Sequence, residues 1–420
     1  MKKITTLVVL FLTLSIFAQE KLGLEECYSL VEKNYPLAKQ NSLLAKKNAF
    51  DVEAIKTNKL PQIDFASQAT YQSDVIELPI SLPDVTITPP NNDQYQATIN
   101  INQLIYDGGS TNAALKEKSA SLKTGQKQVE VNLYSLKEQV NQLYFSILLL
   151  QEKRALLVAK KNELQTTLKE VKAGVKFGTL LPNSDSVLEA ELLKIEQQFI
   201  ELDKDKISKI KSLSQLIGKN ISTTTILNNP QISINLETEI SRPELDLFQL
   251  QKNQIVASEQ LIAKKNSPKL SGFVTGGYGN PGLNMLDNSF KSYYITGLKL
   301  SWNVFDWNSN KKQRKSLQVN KEIIDNEQEV FKLNTSIELT KHQSEISKIS
   351  EIIVSDKDII SLRQKILETS RSQFKNGVIT ASSYITELTN LYEAENNLKT
   401  HNTQLSFAKA NYNTTKGTKN

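Results

Sequence analysis

The stretch "QLIYDGGSTNAAL", residues 103–115, sets Asp107, Gly108 and Gly109 between an alternating apolar–polar run and an alanine-rich polar one. A glycine-rich turn that leads from a strand into a helix can cradle a phosphate on its backbone N–H groups, provided a lysine follows. No lysine stands at that place here, and the matching turn of the second half, Asp306-Trp307-Asn308, has no glycine. Phosphate binding is excluded on those grounds. Asp107, Gly108, Gly109 and Asp306 are read instead as strand-to-helix junctions, with Ser110 capping the helix that follows. The two histidines, His342 and His401, lie in helical stretches with no cysteine or carboxylate at metal-ligand spacing, which places them on solvated helix faces. No nucleophile elbow, HExxH or Walker motif occurs. No catalytic group, cofactor or metal is expected, and the chain is not read as an enzyme.

The elements that carry these residues must be sought in an exported chain. Lys2 and Lys3 precede an apolar run from Leu7 to Phe17 and then Ala18, the three regions of a signal peptide ending near residue 18. The run is shorter than the roughly 20 residues a spanning helix needs. The single cysteine, Cys27, cannot form an internal disulfide and is expected as a small core residue of a helix. The net charge of +6 is mild and interspersed with acids. Apart from Lys311, Lys312, Arg314 and Lys315, read as a solvated helix face, no basic patch marks a nucleic-acid partner.

Setting Tyr106-Asp107 over Phe305-Asp306 gives an offset of 199, at which Tyr95 falls on Tyr294, Ser110 on Ser309 and Gly178 on Gly377. The order of element types repeats in both halves, so the chain is read as a duplication. The expected boundaries are a signal peptide at 1–18, a first repeat at 19–219, a linker or equatorial segment at 220–243 and a second repeat at 244–420. The first repeat holds a helix at 24–58, strands at 62–71 and 95–106, a long helix at 110–174 and another at 184–218. The second holds a helix at 244–266, strands at 269–278 and 293–305, a long helix at 309–375 and another at 382–413. Pro61 and Pro268 end the first helix of each half.

In the strand at 293–305, Tyr294, Leu298, Leu300, Trp302 and Val304 alternate with Gly297, Lys299, Ser301 and Asn303. That suits a half-buried soluble sheet or a transmembrane barrel strand with one lipid face and one wet face. The helices shift the balance. From Val129 through Leu136, Val140, Leu143, Ile147, Leu157, Leu164 and Val171, residues recur at steps of four and three, broken only by Arg154 and Lys161. Such a period of 3.5 indicates a left-handed coiled coil, roughly 90 Å long if unbroken from residue 110. Glycines at 174, 178 and 377 end the long helices, and Ser184, Ser382 or Ser383 can cap the returning ones. Four strands cannot span a bilayer with open edges, whereas three chains supply twelve. The fold class expected is a mixed β-barrel plus long α-helical coiled-coil barrel: mainly α, two structural repeats, four strands per chain and a trimeric twelve-stranded barrel.

The segments "LGLEECYSLVEKNYPLAKQ", "INQLIYDGGSTNAALKEKSASL", "VKAGVKFGTLLPNSDSVLEAELLKIEQQ", "LKLSWNVFDWNSNKKQRKS" and "SRSQFKNGVITASSYITELTNLYEAENNL" resemble, in order, the TolC-like outer membrane efflux proteins of Gram-negative bacteria. The resemblance implies a homotrimeric exit duct in the outer membrane with a large periplasmic portion, passive and gated at its periplasmic tip. It also implies a periplasmic membrane-fusion adaptor and an inner-membrane RND or ABC-type transporter as partners, with outer-membrane lipid around the barrel. On it, Gly178, Thr179, Leu180 and Leu181, with Gly377, Val378, Ile379 and Thr380, form the adaptor-docking tip. Asp185, Phe374, Ser383, Thr386 and Glu387 are the aperture candidates. The sequence departs from the better-known pattern in lacking a dense acidic ring there, and Phe374 stands where a gate-latching tyrosine is common. The alternative is a soluble periplasmic coiled-coil adaptor-type protein, which would carry one helical hairpin rather than two. A weaker rival is an outer-membrane adhesin with a helical stalk. The proline-punctuated loop at 73–93 would lie at the outer surface, with Leu78, Ile80, Leu82 and Val85 over the pore mouth or on a neighbouring chain.

Overall fold

The computed structural model describes residues 21–76, 89–237 and 239–418. The leader at 1–18 and the loop residues Leu78, Ile80, Leu82 and Val85 lie outside the described residues. The described residues form two compact units, one within 40–128 and 246–328, the other within 21–39, 129–245 and 329–418. Each therefore draws on both sequence repeats instead of matching one.

The first unit is built on a four-stranded antiparallel sheet in the order β2-β3-β5-β6. Its strands are β2 (Gln62–Tyr71), β3 (Asp93–Tyr106), β5 (Lys269–Asn280) and β6 (Lys291–Ser301). β3 and β5, one from each half, pair at the centre, with Ile101 opposite Val274, and β2 and β6 are left as open edges. Register gives the sheet two unlike faces. One carries Ile63, Phe65, Tyr95, Ile99, Tyr278, Tyr294, Leu298 and Leu300, all exposed in the single chain. The other is a network of amides and hydroxyls. Gln68 donates to Gln96 at 3.0 Å, Gln96 donates to the Tyr293 hydroxyl, and Thr275 donates to Asn100 at 2.8 Å. β6 ends at Ser301, four residues before the expected end. Its partner β5 begins opposite it at Lys269, directly after Pro268, which cannot donate to a ladder.

Helices α2 (Gln40–Thr57), α3 (Ser110–Tyr134), α6 (Pro243–Ala263) and α7 (Ser309–Lys375) enter or leave this sheet. The junctions differ from expectation in one respect. Ser110 does not cap α3; the Asp107 carboxylate does, accepting from the Gly109 N–H at 2.9 Å and the Thr111 N–H at 2.6 Å. Asp306 repeats the device by accepting from the Asn310 N–H at 2.9 Å. Gly108 and Gly109 have φ of +67° and +84°, and a side chain at 108 would collide with Ser267. The twin junction makes the same turn with Trp307 at φ +53° and Asn308 at +61°, a conformation costly for L side chains. Replacing Asn308 by glycine is expected to raise stability by about 1 kcal/mol, read as a higher unfolding midpoint in detergent.

Burial opposes ionisation at Asp107, but the hydrogen bonds from Thr111 and Gly109 outweigh it, and the carboxyl is held below the ordinary carboxylate range. A lowered folded value means that the stabilisation is complete at neutral pH and is lost as pH falls through the ordinary carboxylate value, about 3.9, toward the lowered one. Asp107→Ala is expected to cost about 1–2 kcal/mol at pH 7. That cost should shrink in unfolding curves recorded below about pH 4.

The second unit is helical. It contains α1 (Leu24–Asn34), α4 (Leu136–Lys176), α5 (Ser184–Ile217), α8 (Ala381–Lys416) and the later part of α7. The first helix expected at 24–58 is broken, because Pro36 holds Tyr35 extended at ψ 137° and opens a 3-10 turn (Pro36–Lys39). The helix expected at 110–174 is interrupted at Ser135, whose hydroxyl donates to the Asn132 carbonyl at 2.8 Å. The heptad positions otherwise go inside: Val129, Leu133, Leu136, Val140, Ile147, Leu157, Leu164 and Val171 are all buried. A short parallel pair joins β1 (Lys21–Leu22) to β4 (Ile226–Leu227), bridged by the Tyr144 hydroxyl, which contacts the carbonyls of Leu22 at 3.0 Å and Asn228 at 2.7 Å. Cys27 is fully buried in α1, and burial pushes its thiol up to about 12. Among the described residues no helix is long and apolar enough to cross a membrane.

Candidate functional site

The returns between α4 and α5 and between α7 and α8 lie in the helical unit. Both long helices end in a left-handed glycine, Gly178 at φ +72° and Gly377 at +70°. Behind them the Thr179 N–H donates to the Gly174 carbonyl and the Val378 N–H to the Gln373 carbonyl, each at 2.9 Å. The two turns come together: a side-chain carbon on Gly377 would lie 3.7 Å from the Thr179 carbonyl oxygen. Leu180 and Ile379 turn inward onto the core, while Leu181 and Val378 stay 61% and 70% exposed, with Phe177 beside them at 76%. Solvated apolar side chains at a turn are what a docking surface requires. Phe177 belongs with this group and can be found from its place immediately before Gly178.

Neither Ser382 nor Ser383 caps α8; the Thr380 hydroxyl does, accepting from the Ser383 N–H at 3.2 Å. Ser184 is buried and caps nothing, because the residue before it, Asn183, is left-handed at φ +65°. Among the aperture candidates, Thr386 is exposed and its hydroxyl donates to the Ser382 carbonyl at 3.0 Å. Asp185 bonds the Ser186 N–H at 3.0 Å. Glu387 is occupied by Arg363 at 3.3 Å and Asn390 at 3.2 Å. Phe374 is only 4% exposed and stacks on Tyr384 with ring centres 5.3 Å apart. It is a core residue of the hairpin and lines a cavity that it shares with Arg371 and Tyr384.

The cross-links between the hairpins come from residues that the motifs did not single out. Arg371 on α7 pairs with Glu163 on α4, and the Tyr384 hydroxyl donates to the same carboxylate at 3.4 Å. Lys375 pairs with Glu170 at 2.9 Å, and Lys399 with Glu152 at 2.8 Å. Deeper in, the Lys160 ammonium is almost wholly enclosed, 2.9 Å from Glu191, 3.3 Å from the Thr389 hydroxyl and over the Tyr392 ring. A cavity of about 250 Å³ beside Arg371, Glu170, Gly174 and Tyr384 leaves the joint incompletely packed. The sequence held a signal for these cross-links. Glu163 and Glu170 are one heptad apart, each just before a buried core position, Leu164 or Val171.

His401 is a correction to the solvated reading. Its Nδ1 lies 2.6 Å from the Asp356 carboxylate, itself buried, across the α7–α8 contact. His342 is pushed below the ordinary histidine value, chiefly by burial. Among the described residues no cluster of three metal-ligating side chains occurs.

Residues 37–219 match the family model described as "Outer membrane efflux protein". The fold is shared with solved outer-membrane channels across 94% of the chain. VceC from Vibrio cholerae has 13% identity, a TM-score of 0.64 and 96% of its own chain covered. The Campylobacter jejuni CmeC channel has 14% identity, a TM-score of 0.62 and 85% covered. The open state of the Neisseria gonorrhoeae MtrE channel has 12% identity, a TM-score of 0.64 and 89% covered. No curated protein sequence matches the chain. The resemblance read from the sequence thus holds both in the family model and in the fold.

Proposed function

From the outer membrane efflux family match and the channel fold, we propose that this chain is one third of an exit duct in the outer membrane of a Gram-negative bacterium. The observation that carries the proposal is the open four-stranded sheet with its exposed apolar face. Edges left unpaired in hydrocarbon cost several kcal/mol per group, so β6 of one copy pairs with β2 of the next. Three copies then close a twelve-stranded barrel, apolar outside and lined inside by the amide network. The paired hairpins α4–α5 and α7–α8 continue it as a helical barrel in the periplasm. Substrates pass through by conduction, driven by an inner-membrane transporter of the RND or ABC type and received through a membrane-fusion adaptor. The adaptor seats on residues 178–181 and 377–380, with Phe177, Leu181 and Val378 as its apolar contacts. Asp185, Ser383, Thr386 and Glu387 lie next to the closed end. The protein binds and guides, and catalyses nothing.

The soluble-adaptor alternative finds no support, because it would leave Phe65, Tyr294, Leu298 and Leu300 in water on one contiguous face. The test is the mass of the detergent complex by light scattering, followed by planar-bilayer recording. A trimer that conducts is expected; a monomer, or a trimer without conductance, would reject the duct.

A further inference from the structure

The basic run at 311–315 is not absorbed by the duct itself. It opens α7 immediately below the apolar face of the sheet, and the fold places a second basic group beside it. The end of α6 packs on the start of α7: Arg314 contacts Glu259 at 3.1 Å and Lys265 contacts Gln313 at 3.5 Å. Lys264, Lys265, Lys269, Lys311, Lys312 and Lys315 are all exposed on this small area. The nearby acids are already used, since Asp306 caps α7 and Glu259 pairs with Arg314. Among the described residues no carboxylate pairs with Lys311, Lys312 or Lys315.

Directly above, the alternation of β6 continues from Leu298 and Leu300 to Trp302, 58% exposed, whose indole N–H donates to the Asn266 carbonyl at 3.0 Å. Phe305 and Trp307 follow, 65% and 81% exposed and packed edge to face. Amphipathic rings at the end of an apolar band mark the level of lipid headgroups. The lysines lie within about two helical turns of that level, roughly 10 Å.

We propose that this collar binds the anionic phospholipid headgroups of the periplasmic leaflet. The inference rests on the duct reading, which sets the depth of the sheet. A strip of ammonium groups running along an aromatic band suits a surface of headgroup phosphates rather than one enclosed anion. A neighbouring copy does not neutralise it, because the residues leading into β2, Lys56 and Lys59, add charge of the same sign at the closing edge.

The experiment uses the full trimer in nanodiscs of phosphatidylcholine alone or with phosphatidylglycerol, and reads lipid retained by native mass spectrometry and the unfolding temperature. Phosphatidylglycerol is expected to be retained selectively and to raise the unfolding temperature. The variant K311Q/K312Q/K315Q should bind it on the order of 100-fold more weakly, at about fivefold per basic group. An equal loss of charge on α5, K204Q/K209Q/K211Q, should leave retention unchanged, and inorganic phosphate should not reproduce the stabilisation. Undiminished retention in the first variant, equal loss in the second, or a matching effect of free phosphate would each overturn the collar. Conductance of the same preparations separates the two ideas: a conducting trimer without lipid selectivity sinks the collar alone, and a silent wild type sinks the duct.

Discussion

Glu163→Gln combined with Glu170→Gln should shift the duct toward its open state by a factor on the order of 50. The double change removes the partners of Arg371, Tyr384 and Lys375, which join α4 to the α7–α8 hairpin. The Arg371 and Glu163 side chains are 46% and 31% exposed, and Lys375 and Glu170 are more exposed still. Each pair is therefore worth no more than about 1 kcal/mol, and the tyrosine bond adds about 1 more. A loss of 2–3 kcal/mol corresponds to roughly 30- to 150-fold in an equilibrium; Glu170→Gln alone should move it about fivefold and Glu163→Gln alone, which loses both Arg371 and Tyr384, up to about 30-fold. Leu164, Val171 and Tyr384 are buried together beside these pairs, and apolar contacts are non-directional whereas the charge pairs are specific to one register. On the duct reading, they hold the hairpins in this register without adding greatly to global stability. Open probability in planar bilayers is the measurement, supported by entry of large antibiotics into cells that express the variant. Salt provides an internal check. Raising KCl from 0.1 to 1 M shortens the screening length from about 10 Å to about 3 Å, so the wild type should open with salt and the double variant should not. Identical conductance in the two proteins would remove these pairs from the gate.

What the sequence made legible is what local pattern and period encode. Most heptad positions from Val129 to Val171 are buried as the 3.5 period requires, with Leu143 half-buried, and the strands starting at Gln62 and Lys269 begin where Pro61 and Pro268 place them. Ser135 was invisible because one serine does not disturb the apolar period. Its effect arises from a hydroxyl competing for the Asn132 carbonyl. Pro36 was legible in principle, yet the apolar spacing on either side of it concealed the break.

The remaining differences come from partners distant in sequence. Asp356 lies 45 residues from His401, and Glu163 lies 208 from Arg371. No spacing rule connects either pair before the hairpins are folded. The β1–β4 bridge is similar, with strands of two residues held by Tyr144 from a third element. Asp107 and not Ser110 caps the helix, although a serine at the first helical position imitates a cap in the sequence. The left-handed pair Gly108-Gly109 brings the carboxylate three residues earlier into reach of the Thr111 N–H. Trp307 and Asn308 then show that the turn is dictated by the junction and not by glycine.

The largest effect of all is expected on the apolar face of the sheet. Phe65 and Val274 lie near the middle of their strands on that face and are 72% and 43% exposed in the single chain. If the face met water, lysine at either position would change stability by less than about 0.5 kcal/mol. In a bilayer, lysine near the midplane of a barrel strand costs about 2–4 kcal/mol. Phe65→Lys with Val274→Lys therefore removes about 4–8 kcal/mol per chain. That is comparable with the whole stability of an ordinary domain, about 5–15 kcal/mol. Assembly in the outer membrane should fail, with the protein recovered as unassembled chains after urea extraction and no conductance. Gln68→Lys with Gln94→Lys adds the same charge to the opposite, amide-lined face, where lumen water solvates it. That variant should assemble normally, and six added charges per trimer should alter only its ion selectivity, measured as a reversal potential in a salt gradient. Equal tolerance of both pairs would place water on both faces of the sheet. Equal intolerance would bury both. Only the asymmetry agrees with a wall that separates lipid from an aqueous channel.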